Sequence, residues 1–114
     1  MALKIWLDGK LVDEADAKIS VFDHGLLYGD GVFEGIRVYN GMVFELEAHI
    51  KRLYESAKVI RLDIPVSRDK LICAIKKTAE ANGIIDGYIR VVATRGIGTL
   101  GLNPFVCDGS RLFI

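Results

Sequence analysis

Cysteine is scarce in this chain of 114 residues, charge of one sign is missing, and no long apolar run occurs. The two cysteines, Cys73 and Cys107, lack metal-ligand spacing and a nearby histidine, so reduced thiols in a cytoplasmic protein are expected, and no metal site. Fifteen basic and fifteen acidic side chains cancel, which leaves no field to select a nucleic acid or an anionic membrane. No apolar stretch approaches the ~20 residues that a membrane helix needs, and no signal peptide is expected ahead of the fold. Internal repeats and low-complexity tracts are absent, and disorder is excluded by a hydrophobic content of 51% with a mean hydropathy of +0.29.

What remains is a single domain, spanning residues 1–114, large enough for its own core. Residues 3–7 alternate and meet Asp8-Gly9, a two-residue hairpin signal, before Leu11-Val12. A further strand is expected over residues 18–22. Residues 23–31 then hold three glycines, too many for a regular element. A strand over 32–39 turns at Asn40-Gly41 into residues 42–44. Residues 46–61 have helical period, with Leu46, Ile50, Leu53, Tyr54, Ala57 and Ile60 on one stripe, until Pro65. Ser67 is the expected N-cap of a second helix through Asn82, with Leu71, Ile72, Ile75 and Ala79 on one face and Gly83 past its end. A long strand over 87–96, rich in β-branched residues, leads to a glycine-rich loop reaching Pro104. Strands outnumber helices and are mostly joined by hairpins, so the expected fold is α+β: an antiparallel sheet with two helices packed on one face. Apolar residues resume at 111–114 as a strand just begun, which suggests a truncated chain or a separately expressed domain.

Gly96-Ile97-Gly98-Thr99-Leu100-Gly101 matches a dinucleotide-binding turn in letters only. That turn needs a helix to start there, and Leu102-Asn103-Pro104 has no helical period. More informative is the strand over 32–39. Period two puts Phe33, Gly35, Arg37 and Tyr39 on one face and Val32, Glu34, Ile36 and Val38 on the other. An aromatic, a glycine and an arginine make a poor core and a reasonable pocket wall, where glycine admits a ligand and arginine offers a fork to a carboxylate. A solvated face with a snorkelling arginine fits the pattern equally well. Tyr88, Arg90, Val92 and Thr94 repeat it on the long strand, where Arg90 is either an edge charge or a second anion contact. On the first helix, Glu45, His49, Arg52 and Ser56 form a polar stripe, read as a solvated face or as one turned toward an anion.

The run Asp23-His24-Gly25-Leu26-Leu27-Tyr28-Gly29-Asp30-Gly31-Val32-Phe33-Glu34-Gly35-Ile36-Arg37 resembles the opening signature of the class IV aminotransferases, above all the branched-chain aminotransferases. His49-Ile50-Lys51-Arg52-Leu53, Tyr88-Ile89-Arg90 and the segment from Thr94-Arg95-Gly96 to Gly101-Leu102-Asn103-Pro104 follow in that family's order and spacing. The resemblance spans nearly the whole chain. It implies the N-terminal small domain of the D-amino-acid-aminotransferase-like fold and pyridoxal 5'-phosphate as cofactor. It also implies transamination between leucine, isoleucine or valine and 2-oxoglutarate. Arg52 is then expected at the cofactor phosphate, and Phe33, Gly35 and Arg37 at the substrate. Arg90 is expected to receive the side-chain carboxylate of glutamate. Tyr28 and Leu102 are expected to complete the site of a second subunit, which implies a homodimer or a larger assembly.

The lysine that holds the cofactor in this family lies in a second domain, and none of the eight lysines here occupies a matching position. No catalytic residue is therefore assigned, and this stretch alone is expected to be inactive. D-amino-acid aminotransferases resemble the chain early on, but their arginine-x-histidine carboxylate trap is missing from residues 96–104. Aminodeoxychorismate lyases share the scaffold with less similarity around Tyr28–Arg37. A non-catalytic binding or dimerisation module derived from the family is the alternative from another class.

Overall fold

The computed structural model describes residues 2–114. Strands β1 (Lys4–Leu7) and β2 (Lys10–Asp13) form the first hairpin. A short helix, α1 (His24–Tyr28), precedes β3 (Gly31–Tyr39), which turns into the short β4 (Met42–Val43). Both hairpins close on two residues of positive φ, Asp8-Gly9 and Asn40-Gly41, as the right-handed twist of the flanking strands requires. Helices α2 (Leu46–Val59) and α3 (Arg68–Ala81) follow, then β5 (Gly87–Thr94) and β6 (Arg111–Phe113). The six strands form one antiparallel sheet in the order β2-β1-β6-β5-β3-β4.

Alternation decides which side of the sheet is covered. Ile36, Val38, Ile89, Val91, Ala93 and Leu112 are buried beneath α2 and α3, against Leu46, Ile50, Leu53, Ala57, Leu71 and Ile75. The expected two-helix layer and its apolar stripes are therefore present. Neither α2 nor α3 covers the opposite side of β3 and β5, which α1 meets only at its Thr94 end. Ser67 caps α3 by accepting a hydrogen bond from the Lys70 amide.

Three local expectations are corrected. Residues 18–22 form no strand: they cross beside the sheet, and Phe22 offers its carbonyl to the Gly98 amide. Within the glycine-rich run, where no regular element is expected, α1 does form. Asp23 caps it by accepting from the Gly25 amide, and Gly29 ends it in the left-handed region. Gly25 sits inside α1 for want of space, since a Cβ there would lie 2.6 Å from Thr94 Cγ2. Finally, α2 stops at Val59 instead of 61, because Arg61 is left-handed at φ 55°.

Candidate functional site

The uncovered face of β3 and β5 carries the residues that the alternation places there. Phe33, Arg37 and Tyr39 are exposed, with Phe33 59% accessible. Across the ladder Gly35 pairs with Arg90, Arg37 with Tyr88 and Phe33 with Val92. Arg90 stacks on the Phe33 ring, 4.8 Å from its centroid, and donates from Nη2 and Nε to the Tyr88 hydroxyl at 2.9 and 3.3 Å. Tyr88 bends over Gly35 so closely that a Cβ on Gly35 would lie 2.2 Å from its hydroxyl oxygen. Glycine is present because the ring occupies that space. Arg37 stands against Tyr39, 5.5 Å from the ring centroid. Two guanidinium groups and three aromatic rings thus line one side of a two-strand surface. Beside Arg90 and Phe33 a hollow of about 360 Å³ opens, walled also by Leu26, Gly31, Val92 and Phe113.

The outer edge of β3 is only partly paired. β4 meets it at Val38 and Tyr39, and the Phe44 amide donates to the Arg37 carbonyl at 2.8 Å. By the two-residue alternation of a ladder, the backbone N–H and C=O of Phe33 and Gly35 point to that same edge, beyond the end of β4. A carboxylate approaching there meets amide donors beside Arg37.

Arg52 lies on the other side of β3. Its helix, α2, packs on the covered face, and its guanidinium bonds Glu34, which the alternation turns inward with Ile36 and Val38. Glu34 is 5% accessible and accepts from Arg52 Nε at 2.8 Å and Nη2 at 2.7 Å. His49, one turn before Arg52, donates from Nδ1 to the same carboxylate at 2.6 Å, since a carboxylate can only accept. The hydrogen bond from Arg52 holds the Glu34 carboxyl below its usual value of 4.5, with the bond from His49 adding to it and outweighing burial. Sequence reasoning places His49 and Arg52 on one stripe and Glu34 on a strand without joining them. The available signal is a carboxylate among core positions opposite a helix face with a histidine and an arginine three apart.

Tyr28 is bonded to the loop that carries Leu102, at Leu100. The Tyr28 hydroxyl donates to the Leu100 carbonyl, and His24, 1% accessible, donates from Nε2 to the Thr99 carbonyl at 2.7 Å. The loop that follows β5 is thereby tied to α1, while Leu102 itself is 77% accessible. No helix starts at Gly96; a single 3-10 turn, Pro104–Val106, follows the loop. The structure therefore agrees with setting the nucleotide reading aside. Burial chiefly raises the Cys107 thiol above its ordinary pKa.

Comparison with known proteins adds a family context. Residues 31–114 match the family model described as amino-transferase class IV. Over 111 residues, 97% of the chain, it is 57% identical to a Methanocaldococcus jannaschii protein with a provisional branched-chain-amino-acid aminotransferase assignment, covering 38% of that protein. It is 43% identical over 94 residues to a D-alanine aminotransferase of Staphylococcus aureus, covering 82% of this chain and 33% of that one. The crystal structure of the branched-chain aminotransferase of the thermophilic archaeon Thermoproteus uzoniensis with norvaline superposes with a TM-score of 0.85. Its sequence is 42% identical, and the match covers 99% of this chain and 39% of that one. The chain thus spans between 33% and 39% of the length of these three relatives.

Proposed function

The chain belongs to the class IV aminotransferases, and from that membership we propose that residues 1–114 are the N-terminal small domain of a pyridoxal-phosphate-dependent branched-chain aminotransferase. The observation that carries this reading is the uncovered face of β3 and β5, where Phe33, Gly35 and Arg37, on a strand with a partly unpaired edge, stand beside Arg90. The proposed reaction moves an amino group between leucine, isoleucine or valine and 2-oxoglutarate, in a cytoplasmic homodimer.

The residues present fit a phosphorylated cofactor on chemical grounds. A guanidinium has five N–H bonds, and Glu34 takes two of those on Arg52, along its Nε–Nη2 edge. The remaining three have no protein partner among the described residues, and the Arg52 side chain is 65% accessible. That leaves the Nη1–Nη2 edge for two oxygens of a phosphate, the bidentate match that lysine lacks. When bound, pyridoxal phosphate supplies the electron sink through which the amino group passes between acids. The lysine expected to hold it lies outside these residues.

The other side chains bind and orient. Arg37 and the outward Gly35 amide receive the α-carboxylate, fixing which way the amino acid lies. Phe33 supplies an apolar wall for a branched side chain. Arg90, already held over Phe33 by the Tyr88 hydroxyl, meets the second carboxylate of glutamate without reorganising. One face can thus take both an apolar and an acidic side chain, as an enzyme passing amino groups from one to the other requires. Tyr28, bonded to the loop at Leu100, and the exposed Leu102 of that loop would complete the site of a partner subunit.

The test is a comparison of kcat/KM for L-leucine, L-isoleucine, L-valine and D-alanine, with 2-oxoglutarate as acceptor, in the full-length protein. The branched L-amino acids are expected to lead by at least a hundredfold. The 43% identity to a D-alanine aminotransferase defines the competing result, a preference for D-alanine, which would overturn the substrate assignment.

A further inference from the structure

Among the described residues two arginines carry a side-on carboxylate, and one of them, Arg52, has an edge left over. Arg95 donates from Nε and Nη2 to Asp30 at 2.9 and 3.1 Å. Its Nη1 and Nη2 then go to the carbonyls of Arg61 and Ile60 at 2.8 and 2.7 Å. That guanidinium is consumed, and with a side chain only 10% accessible it serves as a bolt between the end of α2 and the start of β3. Arg52 has the same pairing with Glu34 and nothing on its outer edge among the described residues.

The asymmetry in burial around Arg52 is the second observation. Its carboxylate is held inside the sheet–helix layer, while the guanidinium is mostly in solvent. An ion pair with so exposed a partner adds little to stability, since solvent screens it and a long side chain must be ordered. It does impose an orientation. Glu34 is fixed from two directions, by the backbone of β3 and by the Nδ1–H of His49, and its two oxygens engage two nitrogens of one rigid plane. A single carboxylate oxygen would leave that plane free to turn; two do not.

We propose that Glu34 is a positioning residue for anion binding: with His49 behind it, it locks the Arg52 guanidinium so that the Nη1–Nη2 edge faces outward, pre-set for the phosphate of the cofactor. The proposal rests on the assignment of Arg52 to that phosphate and adds a role for a residue that touches no ligand. It also sets two physical effects against each other with opposite signs. As a negative charge behind the arginine, Glu34 opposes the arrival of a dianion, so removing its charge should by itself tighten binding. As an orienting group, it spares the arginine the cost of being ordered on binding, so removing it should weaken binding.

The experiment measures, in the full-length protein, the affinities for pyridoxamine 5'-phosphate and for pyridoxamine. The ratio of the two isolates the phosphate and cancels any general loss of folded protein. Arg52→Lys keeps the charge and removes the fork; a fall in the ratio supports the assignment of Arg52. Glu34→Gln is expected to lower the ratio by roughly 10- to 100-fold, as groups behind a directly ligating residue do. Glu34→Asp keeps the charge and draws the carboxylate back by one methylene. A lowered ratio is expected there too, and this variant carries the test if Glu34→Gln does not fold. A ratio that rises in Glu34→Gln and is unchanged in Glu34→Asp means that charge alone matters, and the positioning role is overturned. An Arg52→Lys ratio equal to that of the parent protein removes the premise about Arg52 instead, and the proposal falls with it.

Discussion

Gly35→Ala separates the uncovered face of the sheet from its core. A Cβ at this position would lie 2.2 Å from the Tyr88 hydroxyl oxygen and 2.9 Å from two ring carbons, too close to persist. The obstacle is the far end of one exposed side chain rather than backbone, so the ring swings away and β3 and β5 keep their register. Three small quantities then compete. Gly35 is not in the left-handed region, so replacing glycine within a strand gains about 0.5–1 kcal/mol. Losing the Tyr88–Arg90 hydrogen bonding at the surface costs about 0.5–1.5 kcal/mol. Loosening the Arg90–Phe33 stack costs about 0.5–1 kcal/mol. The sum lies between no change and a loss of about 2 kcal/mol, and urea unfolding should show at most a modest fall in midpoint. The site fares differently, because a methyl group and a displaced ring now occupy the wall beside Arg90. A misfit of that size in a pocket is worth about 1–3 kcal/mol, so KM for isoleucine or glutamate should rise roughly 10- to 200-fold. A loss of more than about 3 kcal/mol in stability would refute the claim that only the ring moves. An unchanged KM in a normally folded variant would refute the claim that this face meets the substrate.

Gly96→Ala tests the opposite case: φ is +97° and a Cβ would lie 1.8 Å from the Gly109 carbonyl oxygen, so urea unfolding should show a loss of at least about 3 kcal/mol. Leu53→Ala, at a position with no exposure between α2 and the sheet, should cost about 2–5 kcal/mol by the same measurement. Tyr28→Phe removes the bond to the Leu100 carbonyl; the domain should lose about 0.5–1.5 kcal/mol, and hydrogen exchange should quicken in residues 97–102 without spreading to β3. The Glu34 carboxyl is lowered in the folded state, so its stabilisation is complete above its usual value of 4.5 and is lost as the pH falls through the lower folded value. Denaturant midpoints should therefore drop as the solution is acidified below 4.5, slightly less steeply in Glu34→Gln, and a steeper drop in Glu34→Gln would contradict the ion pair.

Much of this molecule is legible where a single period governs a whole element. Period two sorts Phe33, Gly35 and Arg37 from Ile36 and Val38, and helical period finds Leu46, Ile50, Leu53 and Ala57, because burial on one side imposes one rule per strand or helix. Thr94 departs from that rule: it shares a strand side with Arg90 yet is buried, because its hydroxyl donates to Asp23 at 2.9 Å. The other departures likewise depend on partners distant in sequence. Residues 18–22 alternate well enough for a strand, but the Phe22 carbonyl accepts from Gly98 in the loop after β5 and no ladder forms. α1 exists through its Asp23 and Gly29 caps, which glycine content alone hides. At the candidate site, the uncovered face of β3 is readable from the strand itself. The Glu34–His49–Arg52 cluster joins a strand to a helix, and the bend of Tyr88 over Gly35 is a diagonal contact between strands. Neither follows from spacing along one element.

The claim that matters most is that this face belongs to a transaminase of branched-chain amino acids. Its most direct test takes the full-length protein loaded with pyridoxal phosphate, mixes it with L-isoleucine in the absence of any oxo acid, and follows the visible spectrum. The absorption of the pyridoxal form is expected to give way to that of the pyridoxamine form, with 3-methyl-2-oxopentanoate released in equal amount. A spectrum that stays unchanged with L-isoleucine while D-alanine converts it would contradict that claim.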